Sequence, residues 1–435
     1  MRKSVIGLLL VAAGTVSVAN AGKPAGGGDT PSYAGTNLGT LPGDKHSDAW
    51  GVNARGHVVG RSYNSSRQSP TLLKAFYWDG TMHQLQPATE APTGETPWDS
   101  EAWAISNETT ETVVGLEERT VCIEDPNDPT LRICEYPQYP LVWQDPGVNP
   151  VADRLDESSG RAFGINDAGN LAVGSCGGGF GAIWSRSGSG GWSRTNIQEQ
   201  AFPDTDLVAA FPDGHDLTGH DIDIVGGAYD VNDAGVVIGA LTWIDQTAAA
   251  ACRQTDVRPC AEDVAYSRAY VYFANSATGQ TAGTGRVLPA PVGYSDSNGF
   301  ALSNLGSGGT AVYVAGWAKV NPNHTWGKGA RWTVTLDGQS GLDVQTELLD
   351  QQAWSQGVNE AGDVAGTSNS RTDRRGNIIQ TATLFRQSVG YVTLKPPKGG
   401  SDSTSRGMAG TGPIYVVGEA NVKGAWRAAR WVIPQ

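Results

Sequence analysis

The densest run of chemically able side chains lies between residues 204 and 223. It contains Asp204, Asp206, Asp213, His215, Asp216, His220, Asp221 and Asp223 and leads into Gly226-Gly227. Two of the chain's six His fall within it. Carboxylates beside imidazoles can hold a metal, here through His215, His220, Asp221 and Asp223, or can set up His215 or His220 as a general base. The two His stand five apart on a Gly-interrupted stretch, which is no established ligand spacing. The plainer account is a solvated acidic loop, and no cofactor is expected beyond a structural metal at this run.

Cysteine gives the second signal. Cys122 and Cys134 bracket one polar, Pro-containing stretch, and Cys252 and Cys260 bracket another. In an oxidising compartment each pair would staple its own loop, and no C-x-x-C spacing supports zinc instead. Cys176, the fifth, sits among glycines with no general base nearby and reads as buried and inert. His46, His57, His83 and His324 are scattered and read as structural or exposed. There is no G-x-S-x-G, H-E-x-x-H or Walker loop. The 44 acidic residues neither exclude nor select a glycosidase carboxylate pair.

What must position these residues is visible as self-similarity. Each unit opens with a small-aromatic-small strand such as Ala49-Trp50-Gly51-Val52-Asn53, Ala162-Phe163-Gly164-Ile165-Asn166 or Ala228-Tyr229-Asp230-Val231-Asn232. Small residues there suit an innermost strand crowded around a narrow axis. A tight Asn-x-x-Gly turn follows, as in Asn166-Asp167-Ala168-Gly169 and Asn359-Glu360-Ala361-Gly362, where Asn caps and Gly closes a hairpin. The second strand ends in two apolar residues and Gly, seven times from Val58-Val59-Gly60 to Val416-Val417-Gly418. The third ends in an aromatic, as in Ala330-Arg331-Trp332, and recurrence of this kind says packing between sheets. A fourth strand is marked by Leu85, Leu155, Ile197, Leu288, Leu349 and Leu394.

The seventh unit has no fourth strand, because the chain stops four residues after Trp431. An orphan fourth strand, Asn37-Leu38-Gly39-Thr40-Leu41-Pro42, stands before the first unit instead. A closed ring would use it to complete the last blade and remove an open edge. The fold class is therefore all-β: a single β-propeller of seven four-stranded blades closed by an N-terminal strand.

The repeat, A-x-G-I-N-x-x-G-x-V-V-G followed by A-F-x-W and Leu and preceded by L-G-T-L, resembles that of the HAF-repeat family of extracellular bacterial proteins. The resemblance covers nearly all of the chain after about residue 33; the fifth and seventh units lack the Asn. It implies a secreted repeat protein and says little about activity.

The ends agree with export. Arg2-Lys3, the apolar run Val5 to Val18 and Ala19-Asn20-Ala21 read as a signal peptide over residues 1–21. Residues 22–32 read as a Gly/Pro-rich linker and 33–435 as the propeller. The expected product is secreted or periplasmic, monomeric and not inserted in a membrane. A net charge of −13 argues against nucleic acid and anionic membrane as partners.

Sorting insertions by strand order places the longest ones on one face: roughly 61–73, 117–139, 244–267 and 368–380 between second and third strands, and 86–101 and 198–226 between blades. A rigid scaffold with decoration on one face presents a binding surface. The first expectation is thus a non-catalytic binding propeller for a polysaccharide or surface partner. The alternative is an extracellular polysaccharide lyase or hydrolase, with His215 or His220 as base and Tyr136, Tyr139 and Arg132 beside it.

Overall fold

The structure is a computed structural model. It describes residues 31–64, 72–88, 98–125, 128–176, 180–188, 191–209, 222–245, 265–276, 279–306, 309–320, 327–336, 342–372 and 378–435, with backbone alone at 121–125, 128–134, 208–209, 222–223, 245, 265 and 370–371. The signal-peptide stretch and nearly all of the proposed linker lie outside these residues.

Seven sheets follow one another along the chain, each built on antiparallel strands side by side in sequence order, three of them in blade 7 and four in each of the others. Their innermost strands are His46–Val52, Asp99–Ile105, Gly160–Ile165, Ile222–Val231, Asp296–Leu302, Trp354–Val358 and Gly400–Ala409, taken as blades 1 to 7. The chain forms a seven-bladed β-propeller. Its N-terminal strand closes the ring as expected: β2 (Thr36–Gly39) pairs antiparallel with Ala425–Ile433, the third strand of blade 7. An unexpected strand precedes it. β1 (Ser32–Ala34), starting within the stretch read as linker, pairs parallel with Gly390–Lys395 and makes blade 6 five-stranded. The N-terminal segment thus crosses from blade 6 to blade 7.

The repeat residues prove to be latches between blades. The turn Asn works in two directions: Asn53 Oδ1 accepts from the backbone of its own hairpin at Arg55 and His57, while its Nδ2 donates to Ser106 O in the next blade. Asn232 and Asn359 likewise donate to Ser303 O and Gly410 O of the blades that follow. The third-strand Trp reaches backwards: Trp143, Trp332 and Trp431 donate from Nε1 to the carbonyls of Gln86, Pro289 and Lys395 at 2.6–2.8 Å. Inner-strand Ser47, Ser100, Ser297 and Ser403 each accept a backbone N–H from the preceding blade's third strand.

Blades 5 and 7, whose turns lack the Asn, carry a different latch. Arg331 Nη1 donates to Gly362 O of blade 6, and Arg430 Nη1 to Gly56 O of blade 1. The first guanidinium lies between Tyr313 and Phe385, the second between Tyr415 and Trp78. The units that look degenerate have substituted one blade-to-blade contact for another.

The invariant second-strand Gly has a single cause. Every inner strand carries a β-bulge, at Trp50, Trp103, Phe163, Tyr229, Phe300, Gln356 and Arg406. It tips a carbonyl over the neighbouring strand. A Cβ on Gly60, Gly115, Gly174, Gly239, Gly316 or Gly418 would collide with the carbonyl oxygen of Asp48, Glu101, Arg161, Gly227, Asn298 or Thr404 respectively; on Gly366 it would strike Gln352 and Trp354 O.

Among the described residues, two of the insertions differ in form from the loops expected. The segment read as loop 117–139 contains a two-stranded hairpin, Val121–Asp125 against Asp128–Glu135. The segment read as loop 368–380 largely continues the strands Val364–Thr372 and Ile378–Arg386, with an irregularity between Ser368 and Arg371. A short helix, Asp204–Ala209, lies in the connection between blades 3 and 4.

Candidate functional site: the central channel

A β-bulge re-aims one side chain, and here it does so seven times around one axis. All seven bulged residues line a single cavity of 570 Å³ enclosed by the inner strands. Five are aromatic and touch in sequence: Trp50 to Trp103 at 4.3 Å between ring centroids, Trp103 to Phe163 at 5.2 Å, Phe163 to Tyr229 at 5.6 Å and Tyr229 to Phe300 at 5.5 Å. Gln356 and Arg406 fill the arc between Phe300 and Trp50, with the Arg406 guanidinium 4.4 Å from the Trp50 ring. The five rings stay half-buried, whereas the third-strand Trp143, Trp184, Trp332 and Trp431 are fully buried.

Below this belt, toward the tight turns, the lining becomes acidic. Asp230 Oδ2 accepts from the Leu302 backbone N–H and Oδ1 from that of Val231. Burial pushes its carboxyl up to about 7 against those two hydrogen bonds, with Asp167 adding to the rise. Asp167 is raised chiefly by burial, with Asp233 and Glu360 adding to it; Asn304 Nδ2 of blade 5 donates to it at 2.6 Å.

Above the belt lies a buried acid pair on the seam between blades 7 and 1. Asp48 and Glu419 are hydrogen-bonded to each other and are 2% and 1% exposed. Arg61 Nε donates to Asp48 at 2.9 Å, and its Nη1 donates to Glu101 at 3.0 Å. Tyr63 Oη donates to Asp48 at 3.3 Å, Thr404 Oγ1 to Glu419 at 3.2 Å, and Arg406 Nη2 to Glu419 at 3.4 Å. Burial first, and then the Glu419 charge and hydrogen bond, lift Asp48 to about 7 against the pull of Arg61. Two carboxyl groups this close oppose each other's ionisation. A hydrogen-bonded pair is also closer than the two carboxylates of a glycosidase, which stand about 5–9 Å apart.

The residues singled out by sequence fare differently. His215, His220, Asp221, Cys252 and Cys260 lie outside the described residues. Asp223 is placed by its backbone alone, opposite Ile244 on the inner strand of blade 4. Tyr136 is 61% exposed beside the inserted hairpin. Tyr139 lies with Arg119 at 5.1 Å and Arg154 at 4.3 Å from its ring; both guanidinium groups bond the buried Glu117, so this Tyr belongs to a cation–π stack. Arg132 faces Glu124 across the hairpin, and Cys122 faces Cys134 directly. Cys176 is buried as expected, with Arg194 Nη1 2.9 Å from its sulfur. His57 is structural: its Nδ1 lies 2.7 Å from Glu111 Oε1, which Arg55 also binds, and 2.9 Å from Tyr77 Oη. Among the described residues no group of three His, Cys, Asp or Glu could hold a metal.

Sequence reading missed both the belt and the acid pair. The belt had a signal: an aromatic flanked by small residues, at the same place in five units. The pair had none, since Asp48 and Glu419 meet only because the ring closes.

No protein-family model matches the chain, and no curated protein matches it. Solved structures similar in shape include an α-L-arabinanase of Penicillium chrysogenum complexed with arabinobiose, at 8% identity, covering 92% of this chain and 97% of that one with a TM-score of 0.38. The C-terminal WD40 domain of Sif2 matches at 8% identity over 93% and 99%, TM-score 0.36. A Trypanosoma rangeli sialidase in complex with 2,3-difluorosialic acid matches at 9% identity over 90% and 54%, TM-score 0.34. None of these likenesses bears on what the chain does.

Proposed function

We propose that this is an exported binding propeller of the HAF-repeat kind, which holds a polysaccharide or a surface partner on its insertion-bearing face. The observation that carries the reading is the asymmetry of the two faces. Second-to-third and blade-to-blade connections carry the inserted hairpin Val121–Glu135, the helix Asp204–Ala209 and the lengthened strands of blade 6. First-to-second connections stay short, four to eight residues between strands, with tight hairpins such as Asn53–Gly56 closed by the backbone bond from Gly56 to Asn53. Blade-to-blade latches make the ring a rigid base, and rigid bases carry recognition loops.

The test is size exclusion of the mature protein with acidic and neutral polysaccharides, with and without chelator. Protein carried into the polymer fraction, with the polymer unchanged in size, supports the reading. A polymer that shortens with time replaces it with the polysaccharide-cleaving alternative, and chelator sensitivity then points to the His215–Asp223 segment. Export is checked by N-terminal sequencing of the released product, expected to begin at Gly22.

A further inference from the structure

We infer that the central channel is a socket for one or two neutral sugar units, distinct from the insertion-bearing loops. The inference rests on the saccharide reading above in one respect, the class of ligand, and adds a location and named contacts to it.

Three observations combine. The first is size: 570 Å³ falls within the roughly 300–1,000 Å³ usual for small-ligand sites. The second is the lining. Apolar pyranose faces pack on aromatic rings, and hydroxyl groups need planar donors and acceptors close by. The channel presents Trp50, Trp103, Phe163, Tyr229 and Phe300 with Gln356 beside them, and amide and carboxyl groups at Asp230 and Asn304 below. A belt that served only packing would be sealed, like the third-strand Trp residues; these five rings keep part of their surface open to the cavity.

The third observation is unmet hydrogen bonding. Trp50 Nε1, Trp103 Nε1, Asn298 Oδ1 and Gln356 Oε1 are buried without a partner, and all four belong to inner-strand residues at or next to the belt. Such atoms are costly, and native structures rarely gather several in one place. These atoms have almost no exposed surface, so a ligand reaches them through rotation of the belt side chains. That rotation is the signal to measure. Asp167, Asp230 and Glu360 on the same lining stand against Arg161 and Arg406, so no single sign of charge dominates and a neutral sugar leaves none of them newly opposed.

The experiment uses the mature protein with cellobiose, maltose and xylobiose, and with glucuronate and choline as charged comparisons. Calorimetry and tryptophan emission are read together. A neutral disaccharide is expected to bind with a dissociation constant of about 0.1–1 mM and to shift the emission. Gln356→Ala, which removes a side chain whose carbonyl oxygen has no partner, should weaken binding about tenfold while leaving the melt intact. Trp103→Ala should abolish the binding, and Val389→Ala, in the exposed turn between the third and fourth strands of blade 6, should leave it unchanged.

The inference is overturned if no neutral disaccharide binds at up to about 10 mM. Binding of choline or glucuronate alone overturns it too, as does an affinity that Gln356→Ala leaves within twofold. Polymer retention separates this from the reading it rests on. If the channel variants still co-migrate with a polymer, the binding propeller stands and the socket falls. If disaccharide binds in the channel but no polymer is retained, the socket stands and the polymer reading falls.

Discussion

Replacing Asp48 by Asn should make the protein more stable above neutral pH, which is an unusual outcome for loss of a buried charge beside an arginine. The carboxyl titrates near 3.8 when free and at about 7 in the folded ring, because burial and Glu419 both oppose its ionisation. Between those values the folded state holds a proton that the unfolded chain has released. Stability therefore falls as pH rises through this window, by about 1.4 kcal/mol per pH unit at most. The whole interval amounts to roughly 4 kcal/mol as an upper limit. Asn imitates the protonated acid: Nδ2 donates to Glu419, and Oδ1 accepts from Arg61 Nε, now at 2.9 Å from Asp48.

Denaturant midpoints from pH 5 to 9 at fixed ionic strength test this. The parent should lose stability across the range, and Asp48→Asn should lose about half as much. Half remains because Asp230, also lifted to about 7 by burial, titrates in the same window. At pH 8 the variant should exceed the parent by about 1–3 kcal/mol, with the two nearly equal at pH 5. A variant whose stability runs parallel to the parent's and below it throughout would show that the Arg61–Asp48 ion pair outweighs the acid–acid contact, and the reasoning would fail.

The repeat yields its own tests. Gly418→Ala drives a methyl into Thr404 O and should cost about 2–4 kcal/mol in a denaturant titration, whereas Gly191→Ala, with open space around it, should stay within about 0.5 kcal/mol. Trp431→Phe removes the bond to Lys395 O, which also accepts the Gly35 N–H, and should cost about 1–2 kcal/mol. Deleting residues 31–39 leaves the outer edges of blades 6 and 7 bare; the expected result is a broad thermal transition and concentration-dependent association, and a sharp unchanged melt would contradict the closure role of β1 and β2. Because Cys122 lies directly opposite Cys134, intact mass before and after reduction should show a disulfide within the hairpin, and alkylation of both thiols without reductant would disprove it.

Much of the architecture is local and was therefore readable from the chain alone. In four units an Asn-x-x-Gly turn followed by a Gly-ended strand specifies a hairpin within about twelve residues, and the seven recurrences of the Gly-ended strand count the blades. The circular shift of one strand was readable too, because a missing element at one end and a surplus one at the other need no coordinates to match. The added strand β1 escaped notice, since Ser32–Ala34 makes three ladder partners with a segment 361 residues away and has no pattern of its own.

Tertiary structure decided the rest. The Asn of blade 4 and the Arg of blade 5 do equivalent work, yet no alignment of units shows it, because each bonds a carbonyl in the following blade and not in its own. The bulge converts an aromatic that alternation would place on a sheet face into a wall of the channel. Asp48 and Glu419, 371 positions apart, meet only because closing the ring brings the first blade against the last. Sequence fixes the conformation of each unit through short-range sterics and turn chemistry. What lines the axis and what lies in the seam depend on which units become neighbours, and that is settled by the closure of the whole ring.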